Sequence, residues 1–220
     1  MTKLLPHIDT WIFDLDNTLY PTTCRLFDQI DKKMGLYIEN LLQLDPVAAR
    51  ALQKSYFKSH GTTLRGLMEN HHIDPLEFLE FVHGIDLNVV KKDPNLGAAL
   101  DQLPGRKIIY TNASVSHCDR VLTQLGLTGH FQGIFDIIAA NYRPKPDPES
   151  YRQFIRLYDI DPATSLYADD LPRNLGPAAD LGMTTLWIKT DVEWAQAEPG
   201  MHSIHHQTND LAYWLKQARG

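Results

Sequence analysis

The feature that most restricts how this chain folds lies near its start. Trp11, Ile12 and Phe13 form an unbroken apolar run that stops abruptly at Asp14-Leu15-Asp16-Asn17-Thr18. A short apolar run without alternation predicts a strand over residues 8–13 that is buried on both faces, as in a parallel sheet covered by helices. Such a strand must carry the polar cluster behind it to a surface or to a site. Beyond residue 105 the pattern repeats: strands are expected over 107–110, 135–139, 165–168 and 185–188. Helices are expected over 148–158, 171–181 and 211–217, and Ser114 and Gly126 bracket a further one that ends at Leu125. Strand and helix in alternation imply parallel strands joined by helical crossovers.

The stretch from about 22 to 92 carries no strand pattern. Leu26, Ile30, Met34, Tyr37, Ile38, Leu41 and Leu42 recur at three- and four-residue spacing, as one face of a helix. Asp45-Pro46 and Asp74-Pro75 open further helices, with proline in the first turn, and residues 61–63 separate two of them. A short helix over 96–103 leads back to the strand pattern. The expected architecture is α/β: a doubly wound, Rossmann-like parallel sheet interrupted after its first strand by an all-helical cap. Residues 1–21 and 93–220 form the core in this reading, and 22–92 the cap.

Composition narrows the function. With 43% hydrophobic and 22% charged residues the chain is that of a globular protein. A formal net charge of -6 argues against a nucleic acid polymer as partner, though not against a small anion. No run approaches the roughly 18 apolar residues of a membrane span, and the N-terminal apolar stretch is too short for a secretory signal, so a cytoplasmic location without a membrane partner is expected. Cys24 and Cys118 belong to no CxxC pair, which points to reduced thiols rather than a zinc site or disulfide.

The polar residues at the expected strand ends are complementary. Asp14 and Asp16 follow the first strand, Thr111-Asn112 a later one and Asp169-Asp170 another, while Lys145 lies in the connection Arg143-Pro144-Lys145-Pro146-Asp147. Ligands of open parallel sheets bind at the carboxyl ends of the strands, where these clusters would converge. Several carboxylates in one small space need a cation, and hard oxygen ligands select Mg²⁺. Carboxylates, a hard metal, a lysine and a hydroxyl make a site for moving a phosphoryl group.

The segments WIFDLDNTLY, IIYTNAS, RPKPDP and YADDLPRN resemble, in order, the four motifs of the haloacid dehalogenase superfamily. The likeness runs from residue 8 to about 190, and residues 22–92 resemble that superfamily's cap. Carried over by position, the resemblance implies that Asp14 is a nucleophile forming an aspartyl-phosphate. It implies that Asp16 is the general acid and base, with its backbone carbonyl on the metal. Thr111 and the backbone around Asn112 would bind phosphoryl oxygens, and Lys145 would neutralise charge on Asp14 and the substrate. Mg²⁺ would be held by Asp14, Asp16, Asp169 and Asp170, with Asp170 at the principal ligand position. Asn174 stands where some members carry an acid. Asp16 separates the chain from the dehalogenase branch, which lacks that acid and needs no metal.

DLDNTLYP and the DD-containing fourth motif are similar to the pyrimidine 5′-nucleotidase-like group. The resemblance therefore implies a phosphatase acting on a small phosphorylated metabolite, such as a pyrimidine nucleoside monophosphate. Its alternatives are a sugar-phosphate phosphatase, a phosphomutase resembling β-phosphoglucomutase, and a non-enzymatic phosphate binder. Intact Asp16 and Lys145 speak against the last, because binding alone needs no general acid. His71, His72, His202, His205 and His206 have no accompanying ligand cluster and read as surface histidines. Leu64, Leu67 and Met68 read as cap core. Tyr56, His60 and Arg65 are candidate substrate contacts or a solvated helix face, and Arg25 and Phe27 are candidates at the cap–core junction.

Overall fold

The computed structural model describes residues 5–190 and 203–218. The first strand, β1 (Thr10–Phe13), lies in the interior of a six-stranded sheet of order β3-β2-β1-β4-β5-β6, with every pairing parallel. The others are β2 (Arg106–Tyr110), β3 (Gly133–Phe135), β4 (Ser165–Asp169), β5 (Thr184–Ile188) and β6 (His206–Thr208). The chain builds outward from β1 on one side and then returns to build outward on the other. That reversal opens a crevice between β1 and β4 at their carboxyl ends.

Side-chain alternation along β1 explains why its apolar run is continuous. Trp11 and Phe13 enter a core with α5 (Pro94–Asp101), α6 (Val115–Leu125) and the last helix, α9 (Leu211–Ala218). Ile12 points to the opposite face, against α7 (Pro148–Tyr158) and α8 (Pro172–Asp180). Both faces are covered, so Trp11, Ile12 and Phe13 are apolar without alternation. Withdrawing a side chain such as Phe13 from water contributes about 1.5–3 kcal/mol.

Four helices fall between β1 and α5: α1 (Leu26–Leu42), α2 (Pro46–His60), α3 (Thr63–His71) and α4 (Pro75–His83). They enclose a core of their own, formed by Ile30, Ile38, Ala49, Tyr56, Leu64, Leu67, Phe78, Leu79 and Val82. Asp45, Thr62 and Asp74 cap α2, α3 and α4 by accepting from backbone N–H groups of the first turns. Gly66 permits α3 to lie close on α2: a Cβ there would fall 2.4 Å from the Tyr56 ring.

Two elements depart from the sequence reading. The strand expected over 135–139 is instead β3 at Gly133–Phe135, and the chain turns at once. Asp136 stops it: its carboxylate accepts from Val115 N, at the head of α6, and from Ala139 N. The apolar Ile137 that suggested a longer strand packs into the core of the helical insertion. The second departure is β6, a short edge strand whose sequence His-Gln-Thr has no apolar alternation. Among the described residues, no helix is long and apolar enough to cross a membrane.

Candidate active site

Strand register sets the first distances. Phe13 is level with Ile109 on β2 and with Ala168 on β4, so the next residues, Asp14, Tyr110 and Asp169, leave the sheet side by side. Asp14 N continues the ladder by donating to Ala168 O at 2.9 Å. Asp14 and Asp169 share the parity of Ile12 and Tyr167 and project toward the α7–α8 face. Lys145 enters there from the loop before α7.

The Lys145 ammonium is 1% exposed. It donates to Asp14 Oδ1 at 2.7 Å, Asp169 Oδ2 at 2.8 Å, Tyr110 O at 2.9 Å and the Tyr167 hydroxyl at 2.9 Å. Burial alone would lower its proton affinity, but the charges of Asp14 and Asp169 outweigh that and hold it above the ordinary lysine value. Asn112 sets the loop that presents it: Asn112 Oδ1 accepts from Lys145 N at 2.8 Å, and Asn112 Nδ2 donates to Lys145 O. The Lys145–Pro146 peptide bond is cis. Thr111 is buried, and its Oγ1 accepts from Ala113 N at 3.0 Å.

Asp14, Asp169 and Asp170 bring carboxylate oxygens within 4.8 Å of one another. Two of the three have other partners. Asp14 is bonded by Lys145 and by Thr18 Oγ1 at 3.2 Å. Asp169 accepts from Lys145, from the Tyr167 hydroxyl, from Leu171 N at 2.9 Å and from Asn174 Nδ2. The Asp170 carboxylate accepts no hydrogen bond from the described residues, although the residue is 5% exposed; its backbone carbonyl accepts from Trp187 Nε1 at 3.0 Å. Burial, followed by the charges of Asp169 and Asp14, pushes the Asp170 carboxyl well above the ordinary carboxylate value. For Asp14, burial and the neighbouring carboxylates overcome the opposing Lys145 charge and raise it to about 7. Three buried carboxylates beside one ammonium form a donor set of hard oxygens that fits a metal ion.

Asp16 leaves the same loop in another direction. Its Oδ1 accepts from the Tyr20 hydroxyl at 2.6 Å and lies 3.2 Å from His117 Nε2. Burial would raise this carboxyl, but the charge and hydrogen bond of His117, together with the Tyr20 hydroxyl, hold it below the ordinary value. Asn17, the residue that follows, takes a left-handed conformation (φ 61°).

The sequence reading assigned no role to Tyr20, His83 or His117. His117 is fully buried, and His83 is 7% exposed and stacks on it. A signal was available: Tyr20 is four residues beyond Asp16, and His117 lies in the first turn of α6, capped by Ser114 just after Thr111. Of the histidines named in that reading, His72 and His205 are exposed, His71 bonds the Tyr56 hydroxyl, His206 lies against Trp214, and His202 falls outside the described residues.

Among the cap candidates, Tyr56 belongs to the cap core and His60 pairs with Ser59 and Glu69 at the surface. Arg25 is exposed and paired with Asp28, and Phe27 packs against the cap core. Arg65 bridges to the core, donating to Asp147 Oδ2 at 3.3 Å. The Arg173 guanidinium, at the start of α8, covers the Phe57 ring of α2 at 4.0 Å.

A sheet that brings an aspartate from its first strand beside a lysine and two further aspartates defines a class of hydrolases with helical insertions. The chain belongs to the haloacid dehalogenase-like hydrolase family, whose model matches residues 8–182. Phosphate metabolism protein 8 of Saccharomyces cerevisiae is 26% identical over 196 residues, covering 81% of this chain. The chain spans 60% of the length of that relative. Among solved structures, a phosphatase of this superfamily from Thermococcus onnurineus is similar with a TM-score of 0.64 at 16% identity, covering 96% of this chain and 97% of that one. L-2-haloacid dehalogenase from Xanthobacter autotrophicus is similar with a TM-score of 0.60 at 15% identity, covering 97% and 99%. The two likenesses establish the shared fold.

Proposed function

We propose that the chain is a Mg²⁺-dependent phosphatase that hydrolyses small phosphomonoesters through an aspartyl-phosphate on Asp14. The observation that carries this reading is the placement of Asp14: its Oδ1 lies 2.7 Å from Lys145 Nζ and its carboxylate shares one small space with Asp169 and Asp170. Asp14 attacks phosphorus, the bond to the ester oxygen breaks, and Asp16 delivers a proton to that oxygen. Asp16 then takes a proton from the water that hydrolyses the acyl phosphate. Lys145 neutralises charge on Asp14, and Thr111 binds a phosphoryl oxygen. Asp14, Asp170 and the Asp16 carbonyl would hold Mg²⁺, with Asp169 orienting the group from behind through its bonds to Lys145 and Asn174. Bound Mg²⁺ supplies charge screening between nucleophile and phosphate. In this reading 22–92 is a cap over a core of 1–21 and 93–220, and Arg65–Asp147 is one of the contacts it breaks on opening.

For the substrate we propose a nucleoside monophosphate of the pyrimidine class, on the likeness of the first and fourth motifs to that group. Asp16 supports phosphoryl transfer over dehalogenation, which has no ester oxygen to protonate. The test is phosphate release from purified protein across nucleoside monophosphates and sugar phosphates, with Mg²⁺ and with EDTA. Release that EDTA abolishes, fastest with pyrimidine nucleotides, is expected. Sugar-phosphate isomerisation without free phosphate would instead identify a mutase, and dechlorination of 2-chloropropionate without metal would identify a dehalogenase.

A further inference from the structure

We propose that Tyr20 and His117 are positioning residues for Asp16, holding its Oδ1 so that Oδ2 is the oxygen that gives and takes the proton. The inference rests on the phosphatase reading above. Both contacts fall on the same oxygen: the Tyr20 hydroxyl at 2.6 Å and His117 Nε2 at 3.2 Å. Among the described residues, nothing donates to Oδ2. Both partners are withdrawn from water, Tyr20 at 2% and His117 at 0% exposure.

Neither partner is free to turn away. The Tyr20 hydroxyl is buried against a carboxylate oxygen, toward which it is the donor. The other ring nitrogen of His117, Nδ1, is buried without a hydrogen-bond partner. The ring's one described polar contact is therefore Asp16 Oδ1, and when the proton to be given sits on Oδ2, Oδ1 is the acceptor and Nε2 the donor. The ring plane is fixed by His83, stacked at 4.2 Å between centroids and 16° between planes. His83 ends α4, the last helix of the insertion. Its Nδ1 lies 3.2 Å from Ser114 Oγ, and its carbonyl accepts from Arg120 Nη1 at 2.9 Å. A packed path thus runs from the end of the insertion through two stacked imidazoles to Asp16.

An acid that must meet a leaving oxygen gains from losing its rotation. A carboxyl free to turn presents either oxygen and spends part of its time misdirected, and small misplacements of a reacting group are costly. The defect should appear where protonation of the leaving group matters. Phenyl phosphate and p-nitrophenyl phosphate are similar in size, but phenol is the poorer leaving group and depends more on the acid.

The test compares these two substrates with full-length protein and Mg²⁺. Tyr20→Phe and His117→Leu are expected to lower kcat on phenyl phosphate by about tenfold. They should lower it by less than about threefold on p-nitrophenyl phosphate, with KM little changed. His117→Gln, whose amide nitrogen reaches the place of Nε2, should recover most of the loss. Tyr20→Phe removes only a hydroxyl, so it reports even if a His117 variant does not fold. Equal slowing of both substrates, or full activity of Tyr20→Phe on phenyl phosphate, overturns the inference while leaving the phosphatase reading standing. A wild-type protein that releases phosphate from neither substrate, or an Asp14→Asn protein as active as wild type, removes the phosphatase reading and this inference with it.

Discussion

Asp14 and Asp16 leave one loop two residues apart and enter opposite surroundings. On the Asp14 side three carboxylates crowd a single ammonium, and burial with mutual repulsion raises the Asp14 carboxyl to about 7. On the Asp16 side one carboxylate meets a tyrosine hydroxyl and an imidazole, which outweigh its burial and hold it below the ordinary value. The first region gathers more negative than positive groups. In the second, one carboxylate oxygen is held by two protein groups. Only Leu15 separates them in the chain, so close sequence neighbours serve in unlike fields.

Three comparisons sharpen or break this contrast. The largest effect is expected in catalysis. Asp14→Asn should lower phosphate release on the order of 10⁴-fold or more, as removal of a nucleophile does. Asp16→Asn should cost about 10²- to 10⁴-fold, the range of a general acid. Thermal unfolding with and without Mg²⁺ separates them further: Asp16→Asn keeps the metal-induced rise in Tm, and Asp14→Asn diminishes it. Equal retention of that rise in both variants would erase the contrast.

Next in size is the effect on stability. Lys145→Met leaves buried carboxylates without their counter-ion and should cost about 3–5 kcal/mol in metal-free denaturant unfolding. Tyr20→Phe removes one hydrogen bond to a carboxylate and should cost about 1.5–3 kcal/mol. A Tyr20→Phe loss equal to that of Lys145→Met would break the distinction between the two regions.

The smallest effect is in pH dependence. With a folded value near 7 against an ordinary value of 3.8, Asp14 binds more protons in the folded protein than in the unfolded chain across that window. Its contribution to metal-free stability is therefore lost as pH rises from about 4 to 7. The depressed Asp16 acts oppositely: its contribution is present above 3.8 and is lost on acidification. His83, lowered from 6.5 to about 3 first by burial and then by His117, also favours the folded state increasingly as pH rises through that interval. The Asp14 effect is isolated by subtracting the Tm–pH profile of Asp14→Asn from that of wild type. The difference should fall between pH 4 and 7 without metal and flatten with Mg²⁺.

How much of this was legible in the sequence depends on what each residue leaves in the local pattern. The β1 run and its polar end could be read because Trp11, Ile12 and Phe13 are buried on both faces and show no alternation. Register then fixes Asp169 beside Asp14. Lys145 stood out because prolines flank it in a loop between two elements. The end of β3 was misread because Ile137 is apolar for packing against the insertion, a tertiary cause that imitates a longer strand. β6 left no trace because an edge strand of three residues needs no apolar face. Tyr20, His83 and His117 come from three separated segments, and their meeting at Asp16 depends on how α4 lies against α6. Asn112 was read as a phosphate contact, and in the folded protein its side chain braces the backbone of Lys145.

The dry lodging of the Lys145 ammonium has a consequence for ion choice. With Asp14, Asp169 and Asp170 all ionised, the enclosure carries three negative charges and one positive, a formal sum of −2. A divalent ion brings that sum to zero, whereas sodium or potassium leaves a residual charge sealed away from water. In the proposed metal-bound state, electroneutrality would disfavour the monovalent ions that are commonest in cells, before any preference of size or geometry.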